Sequence, residues 1–163
     1  MTSPTDRVGT RRRPVQAFTL FVGVVFLLVG VLGFVPGATA DLDAIGFAGP
    51  HSGALLFGLF QVSVLHNALH LLFGVAGILA SATRGASRLF LGAGGFVYLL
   101  LWVYGSVVHS VDHDGGAANF APFNPADNLL HLGLGAGMIV LAVVSTVVER
   151  AQDRYPGREQ GGA

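Results

Sequence analysis

The run from Val15 to Val35, VQAFTLFVGVVFLLVGVLGFV, contains only two polar side chains, Gln16 and Thr19, and is stopped by Pro36-Gly37. Its 21 residues form, at about 1.5 Å per residue, a helix long enough to cross a hydrocarbon core of about 30 Å. Three further apolar stretches follow at about residues 59–82, 89–108 and 127–148, each closed by polar or charged residues. The second belongs to a longer run, Ser52 to Ala82, whose first turn or two is expected to lie at the interface or to bend near Gly58. Composition agrees with burial in lipid. Only 11% of residues are charged, against about 25% in a soluble domain, too few to coat a water-facing surface. The expectation is an all-α integral membrane protein, a four-helix bundle over residues 15–148. An arginine-rich, disordered tail (1–14) and a second cytoplasmic tail (149–163) flank it.

All nine basic residues are arginines: Arg7, Arg11, Arg12, Arg13, Arg84, Arg88, Arg150, Arg154 and Arg158. They fall before the first span, between the second and third, and after the fourth. The other two connections contain Asp41, Asp43, Asp112 and Asp114 and no arginine. Cationic loops stay cytoplasmic, so four spans with both termini inside is the orientation that this segregation predicts, in a multi-pass protein of the cell membrane. The lipid bilayer is the expected partner. No basic patch alternates with aromatics, which argues against nucleic acid. With no cysteine there can be no disulfide, thiolate metal site or cysteine nucleophile. Ala38-Thr39-Ala40 after the first apolar run resembles a signal-peptide cleavage site, but the run exceeds the usual signal core of about 7–15 residues, so it is read as a retained anchor.

Spans two and four share a pattern. Asn67-Ala68-Leu69-His70-Leu71-Leu72-Phe73-Gly74 aligns with Asn128-Leu129-Leu130-His131-Leu132-Gly133-Leu134-Gly135 at an offset of 61 residues. This parallel repeat implies two antiparallel helical hairpins related by a pseudo-two-fold axis along the membrane normal. Spans one and three are read as carrying no comparable match. Steps of three and four place Ser63, His66, Asn67, His70, Gly74, Gly77 and Ser81 on one stripe, and Asp127 or Asn128, His131, Gly135, Met138, Ala142 and Ser145 on another. Polar groups are costly in hydrocarbon, so both stripes should face inward, with the histidines in the outer half of the membrane. Gly133 and Gly137 form a small-xxx-small pair on another face, suited to packing against a neighbour or in a homo-oligomer. His109, Asp112, His113 and Asp114 group near the outer surface, with His51 in the other external connection.

Three motifs in order, GVLGFVPG over 30–37 with GLFQ over 58–61, HNALHL over 66–71, and DNLLHLG over 127–133, resemble the bacterial membrane family known as domain of unknown function 4383. The resemblance covers about residues 15–148. It implies a four-span inner-membrane protein with an uncleaved first span, and supplies no activity, ligand or catalytic residue.

Three functions fit the stripes. In the first, structural or scaffolding, Asn67, His70, Asn128 and His131 bond across the contact of spans two and four. Such bonds contribute about 0.6 kcal/mol on average and at most roughly 1.7, so they specify geometry more than they stabilise. In the second, His66, His70 and His131 converge on a metal ion, with Asp127 behind them, or one histidine from each span holds a haem. In the third, His66, His70, Asp127 and His131 relay protons in an oligomer. No nucleophile elbow, phosphate loop or zinc-protease motif is present, and an enzyme is not expected.

Overall fold

A computed structural model describes residues 13–111 and 124–154; the side chains of 109–111 lie outside this description. Four helices dominate: α1 (Pro14–Leu32), α2 (Val64–Ala80), α3 (Arg84–Val111) and α4 (Pro125–Arg154). By length and composition α1, α3 and α4 can each cross a membrane, while α2 has 17 residues and falls short. Residues 1–12 and 155–163 and the His109, Asp112, His113 and Asp114 group fall outside the described residues, except that the backbone of His109 lies in α3; the expected second tail is corrected in that 149–154 continue α4.

The second apolar run turns at Phe57-Gly58, where a bend is expected, but its helix starts later than expected. Residues 59–63 are not helical. Instead β1 (Thr39–Ala40), β2 (Leu55–Leu56) and β3 (Phe60–Gln61) form a small antiparallel sheet in that order, with Thr39 opposite Leu56 and Leu56 opposite Phe60. The cause is local. Phe57 and Gly58 take left-handed φ values of 55° and 67°, which reverse the chain into a hairpin. Ser63 then starts α2 by accepting a bond from His66 N at 3.1 Å, a side-chain N-cap.

Close backbone approach joins α1 to α2 and α3 to α4. A Cβ built on Gly23 would lie 2.8 Å from Ile78 N, and one on Gly74 would lie 2.6 Å from Leu27 N. In the second pair, a Cβ on Gly95 would lie 2.9 Å from Gly135 O, and one on Gly135 2.8 Å from Leu99 Cγ. Contacts that advance along one helix retreat along the other (Gly23 with Gly77, Gly30 with Leu71, Gly33 with Asn67), so each pair is antiparallel. Small residues here let backbones touch, the main source of helix association in lipid, where apolar side chains gain little by leaving the solvent.

This geometry exposes a second repeat. Gly23 and Leu27 of α1, and Gly33 just after it, occupy the positions that Gly95, Leu99 and Gly105 occupy in α3, an offset of 72 residues. At that offset Phe18/Phe90, Leu28/Leu100 and Val31/Val103 also coincide. Spans one and three do match, contrary to the sequence reading. Ile78 and Ile139, which meet Gly23 and Gly95, extend the 61-residue repeat of α2 and α4.

Between the pairs lies a core of Phe26, Leu91, Tyr98 and Met138, with Phe73 and Phe90 packed against it. Phe26 and Phe73 meet edge to face at 5.0 Å. A second cluster, Ala54, Leu56 and Val62 on Val29 and Leu32, seats the sheet on one end of the helices. That end carries the histidines; the other carries Arg13, Arg84, Arg88, Arg150 and Arg154.

The seam predicts opposite signs for two glycine substitutions. Gly74→Val overpacks a backbone contact and should destabilise by about 1–3 kcal/mol. Gly133→Ala, whose Cβ would meet nothing within 4 Å, should be neutral or stabilise by up to about 1 kcal/mol through helix propensity. Unfolding of detergent-solubilised protein, followed by helical circular dichroism, measures both.

Candidate functional site

The two polar stripes are buried as the helical spacing requires. Ser63, Asn67, His70, Gly74, Gly77 and Ser81 are buried on α2, and Asp127, His131, Gly135, Met138 and Ser145 on α4, with His66 and Asn128 half-buried.

Asn67 acts within its own hairpin and not across α2 and α4, while Asn128 Oδ1 is buried without a hydrogen-bond partner among the described residues. Asn67 Nδ2 donates to the Gly33 carbonyl at 2.8 Å. Gly33 follows the last turn of α1, where carbonyls have no intrahelical partner, and Thr39 Oγ1 satisfies another by donating to Leu32 O at 2.9 Å. Asn128 occupies the equivalent place in the second hairpin, against Gly105, where any Cβ would collide with its Oδ1. Both glycines make room for an amide.

Asp127 serves the start of α4. Asn124 is the N-cap and Asp127 the third helical residue, and they exchange bonds: Asp127 N donates to Asn124 Oδ1 at 2.9 Å, and Asn124 N donates to Asp127 Oδ2 at 3.1 Å. Pro125 between them presets the first helical φ. The same carboxylate oxygen accepts from Gln61 N at 3.1 Å, and Asn124 Nδ2 donates to Leu59 O at 2.8 Å, so α4 is pinned to β3. Gln61 Nε2 in turn donates to Pro50 O and Ser52 O. The repeat extends to these positions, with Ser63 and His66 of α2 standing where α4 has Asn124 and Asp127.

The three inner histidines gather, but not as a ligand set. His66 and His70 stack at 4.6 Å with rings 8° apart, and His131 lies 6.4 Å from His66 at 19°. Face-to-face rings aim their nitrogens past one another, and among the described residues no group of three or more histidines or carboxylates is arranged to hold a metal ion. The expected convergence of His66, His70 and His131 on one ion is therefore not the geometry found. His70 Nδ1 lies 3.1 Å from the His66 carbonyl, which can only accept, so Nδ1 carries the proton. His66 Nδ1 is buried with no partner among the described residues. Each repeat backs its histidine with an aromatic ring, Phe26 on His70 at 5.4 Å and Tyr98 on His131 at 5.5 Å. His51 is exposed, apart from this group.

Gly133 and Gly137 are exposed, beside an apolar groove between α1 and α4 lined by Phe21, Val25 and Leu141.

One buried group belongs to no expected site. Glu149, 1% exposed, accepts from Arg88 Nη2 at 2.7 Å and from Val15 N at 3.3 Å, tying α4 to α3 and α1. Its sequence signal is spacing: it continues the stripe Gly135, Met138, Ala142, Ser145 in steps of three and four. Nearby, Gln16 Nε2 donates to Ser81 O and Ala82 O at 3.1 and 3.0 Å and satisfies the end of α2.

These roles predict a ranking. Arg88→Ala leaves a buried carboxylate with a single backbone donor and should destabilise by about 1–3 kcal/mol. Glu149→Ala should cost less, because the Arg88 side chain is 44% exposed and stays solvated. Asn67→Ala should cost on the order of 1 kcal/mol. Unfolding in mixed micelles orders the three.

No curated protein and no solved structure matches the chain. The family described as domain of unknown function (DUF4383) matches residues 16–144, a stretch that includes α2, both asparagines, the three inner histidines and Asp127. The chain belongs to that family.

Proposed function

We propose that the chain is a multi-pass protein of the cell membrane, a four-helix bundle of two hairpins about a pseudo-two-fold axis, with a structural or scaffolding role and no catalytic one. The arginine end is cytoplasmic and the histidine end faces outward, which leaves both termini inside. One observation carries the structural reading: Asn67, Asp127 and His70 of the stripes are engaged within the chain, while His66 Nδ1 and Asn128 Oδ1 are buried without a hydrogen-bond partner among the described residues. Asn67 closes α1, Asp127 closes the start of α4 and holds β3, and His70 bonds its own helix. Outward faces on all four helices are apolar, including Leu28 on α1, Leu72 and Leu79 on α2, Leu100 on α3 and Val143 on α4. This supports α2 as the fourth crossing despite its length.

A second reading, proton handling, draws on the buried Nδ1 of His66, which has no hydrogen-bond partner among the described residues, within the ring stack. Between that stack and Glu149 lie Gly135, Met138, Ala142 and Ser145, which offer one hydroxyl and no titratable group. The structural reading accounts for more of the residues.

Reporter fusions test the orientation. Residue 86 should report from the cytoplasm, and residues 45 and 117 from the exterior. The reverse result at any of the three overturns the four-crossing reading. For the role, replacing His70 and His131 together by glutamine should lower thermal stability while leaving proton flux into vesicles at the lipid background. A normal fold with altered flux would favour proton handling.

A further inference from the structure

α2 is too short to cross unaided. Its 17 residues span about 25 Å, against about 30 Å of hydrocarbon. At the arginine end, Ser81, Ala82 and Thr83 lead directly to the exposed Arg84, so α2 already reaches the polar boundary there. The missing length therefore falls at the histidine end, where the sheet sits.

The sheet suits that depth. Non-helical backbone near hydrocarbon must bond internally. Phe57 N donates to Ala38 O at 2.7 Å, Gly58 N to Leu55 O and Leu59 N to Leu56 O at 3.1 Å, and Val62 N to Ala54 O at 3.0 Å. Three outward side chains of this connection are large and apolar, Phe47, Phe57 and Leu59 at 74%, 62% and 54% exposed, beside the exposed polar Asp41, Asp43 and His51. Phe57 stands at the hairpin tip with a left-handed φ of 55°, a conformation that bulky residues rarely hold. The Phe47 carbonyl accepts from Leu65 N, one turn above the exposed Leu69 of α2. Leu59 is tied to Asn124 at the start of α4, close to the exposed Leu129. Apolar surface thus continues from the helix faces onto the sheet.

We infer that the sheet and the segment between β1 and β2 form a lipid-embedded wedge: Phe47, Phe57 and Leu59 occupy the acyl–headgroup boundary of the leaflet at the histidine end and complete the second crossing. The length deficit of α2 sets their depth, which is why the occupant is lipid and not a partner protein. The inference rests on the four-crossing reading.

Trp102 is the sole tryptophan, so a Trp102→Phe background allows one reporter at a time. Phe47→Trp and Phe57→Trp report on the sheet, and Leu72→Trp on the outward face of α2. The full chain is reconstituted into phosphatidylcholine vesicles brominated either near the headgroup end or near the methyl end of the acyl chains. Tryptophans at 47 and 57 should lose emission mainly to the shallow bromines, and the one at 72 mainly to the deep ones. Quenching at 72 with none at 47 or 57, or deeper quenching there than at 72, overturns the wedge and leaves the crossing reading standing. No quenching at 72 overturns both.

Discussion

Backbone-to-backbone contact at Gly23, Gly74 and Gly77 in one hairpin, and at Gly95 and Gly135 in the other, is the constraint from which the remaining geometry follows. In lipid, helices gain little by hiding apolar side chains from an equally apolar surrounding, so association depends on close packing and on satisfied polar groups. The glycine seams provide the first and set the register for the second. With Gly23 against Ile78, Asn67 falls beside the open carbonyl of Gly33; with Gly95 against Gly135, Asn128 falls on Gly105. A side chain on any of these glycines would separate the helices and leave an amide or a carbonyl without its neighbour.

Much of this was legible beforehand. The inward faces of α2 and α4 follow from helical spacing, and the 61-residue repeat stands out because asparagine and histidine are rare in so apolar a chain. The 72-residue repeat of α1 and α3 is carried by glycine, leucine, phenylalanine and valine, which coincide cheaply here. Only the contacts of Gly23, Leu27 and Gly33 make it plain. The start of α2 was misread because a short apolar run such as Leu55-Leu56-Phe57-Gly58-Leu59-Phe60 looks alike as strand or helix, and periodicity cannot separate them. The partners of the site were hidden for another reason: Gly33 and Gly105 have no side chain to advertise a role. Glu149 was assigned to a tail because it follows the apolar run, although it keeps the step of the stripe above it.

Departures between the two halves fall where the site is most polar. Phe26 backs His70 and Tyr98 backs His131, so the ring pairs are conserved in kind while one gains a hydroxyl. His66 and Asp127 stand at equivalent positions with different work: the imidazole stacks on His70, and the carboxylate fastens β3 to α4. The longer connection of the first hairpin, which contains the sheet, is what gives Asp127 something to fasten.

Each glycine seam joins helices that are neighbours along the chain, and this bears on biosynthesis. The first hairpin closes through contacts made entirely before residue 84, so it can assemble while the ribosome is still producing α3. Of the interactions that cross between hairpins, Thr19 with Ser87, Gln61 with Asp127 and Leu59 with Asn124 involve residues made earlier, while Val15 with Glu149 waits for almost the last turn of the final helix. Maturation then resembles a latch: two halves meet, and a carboxylate in the closing turns of α4 is the last to fasten them.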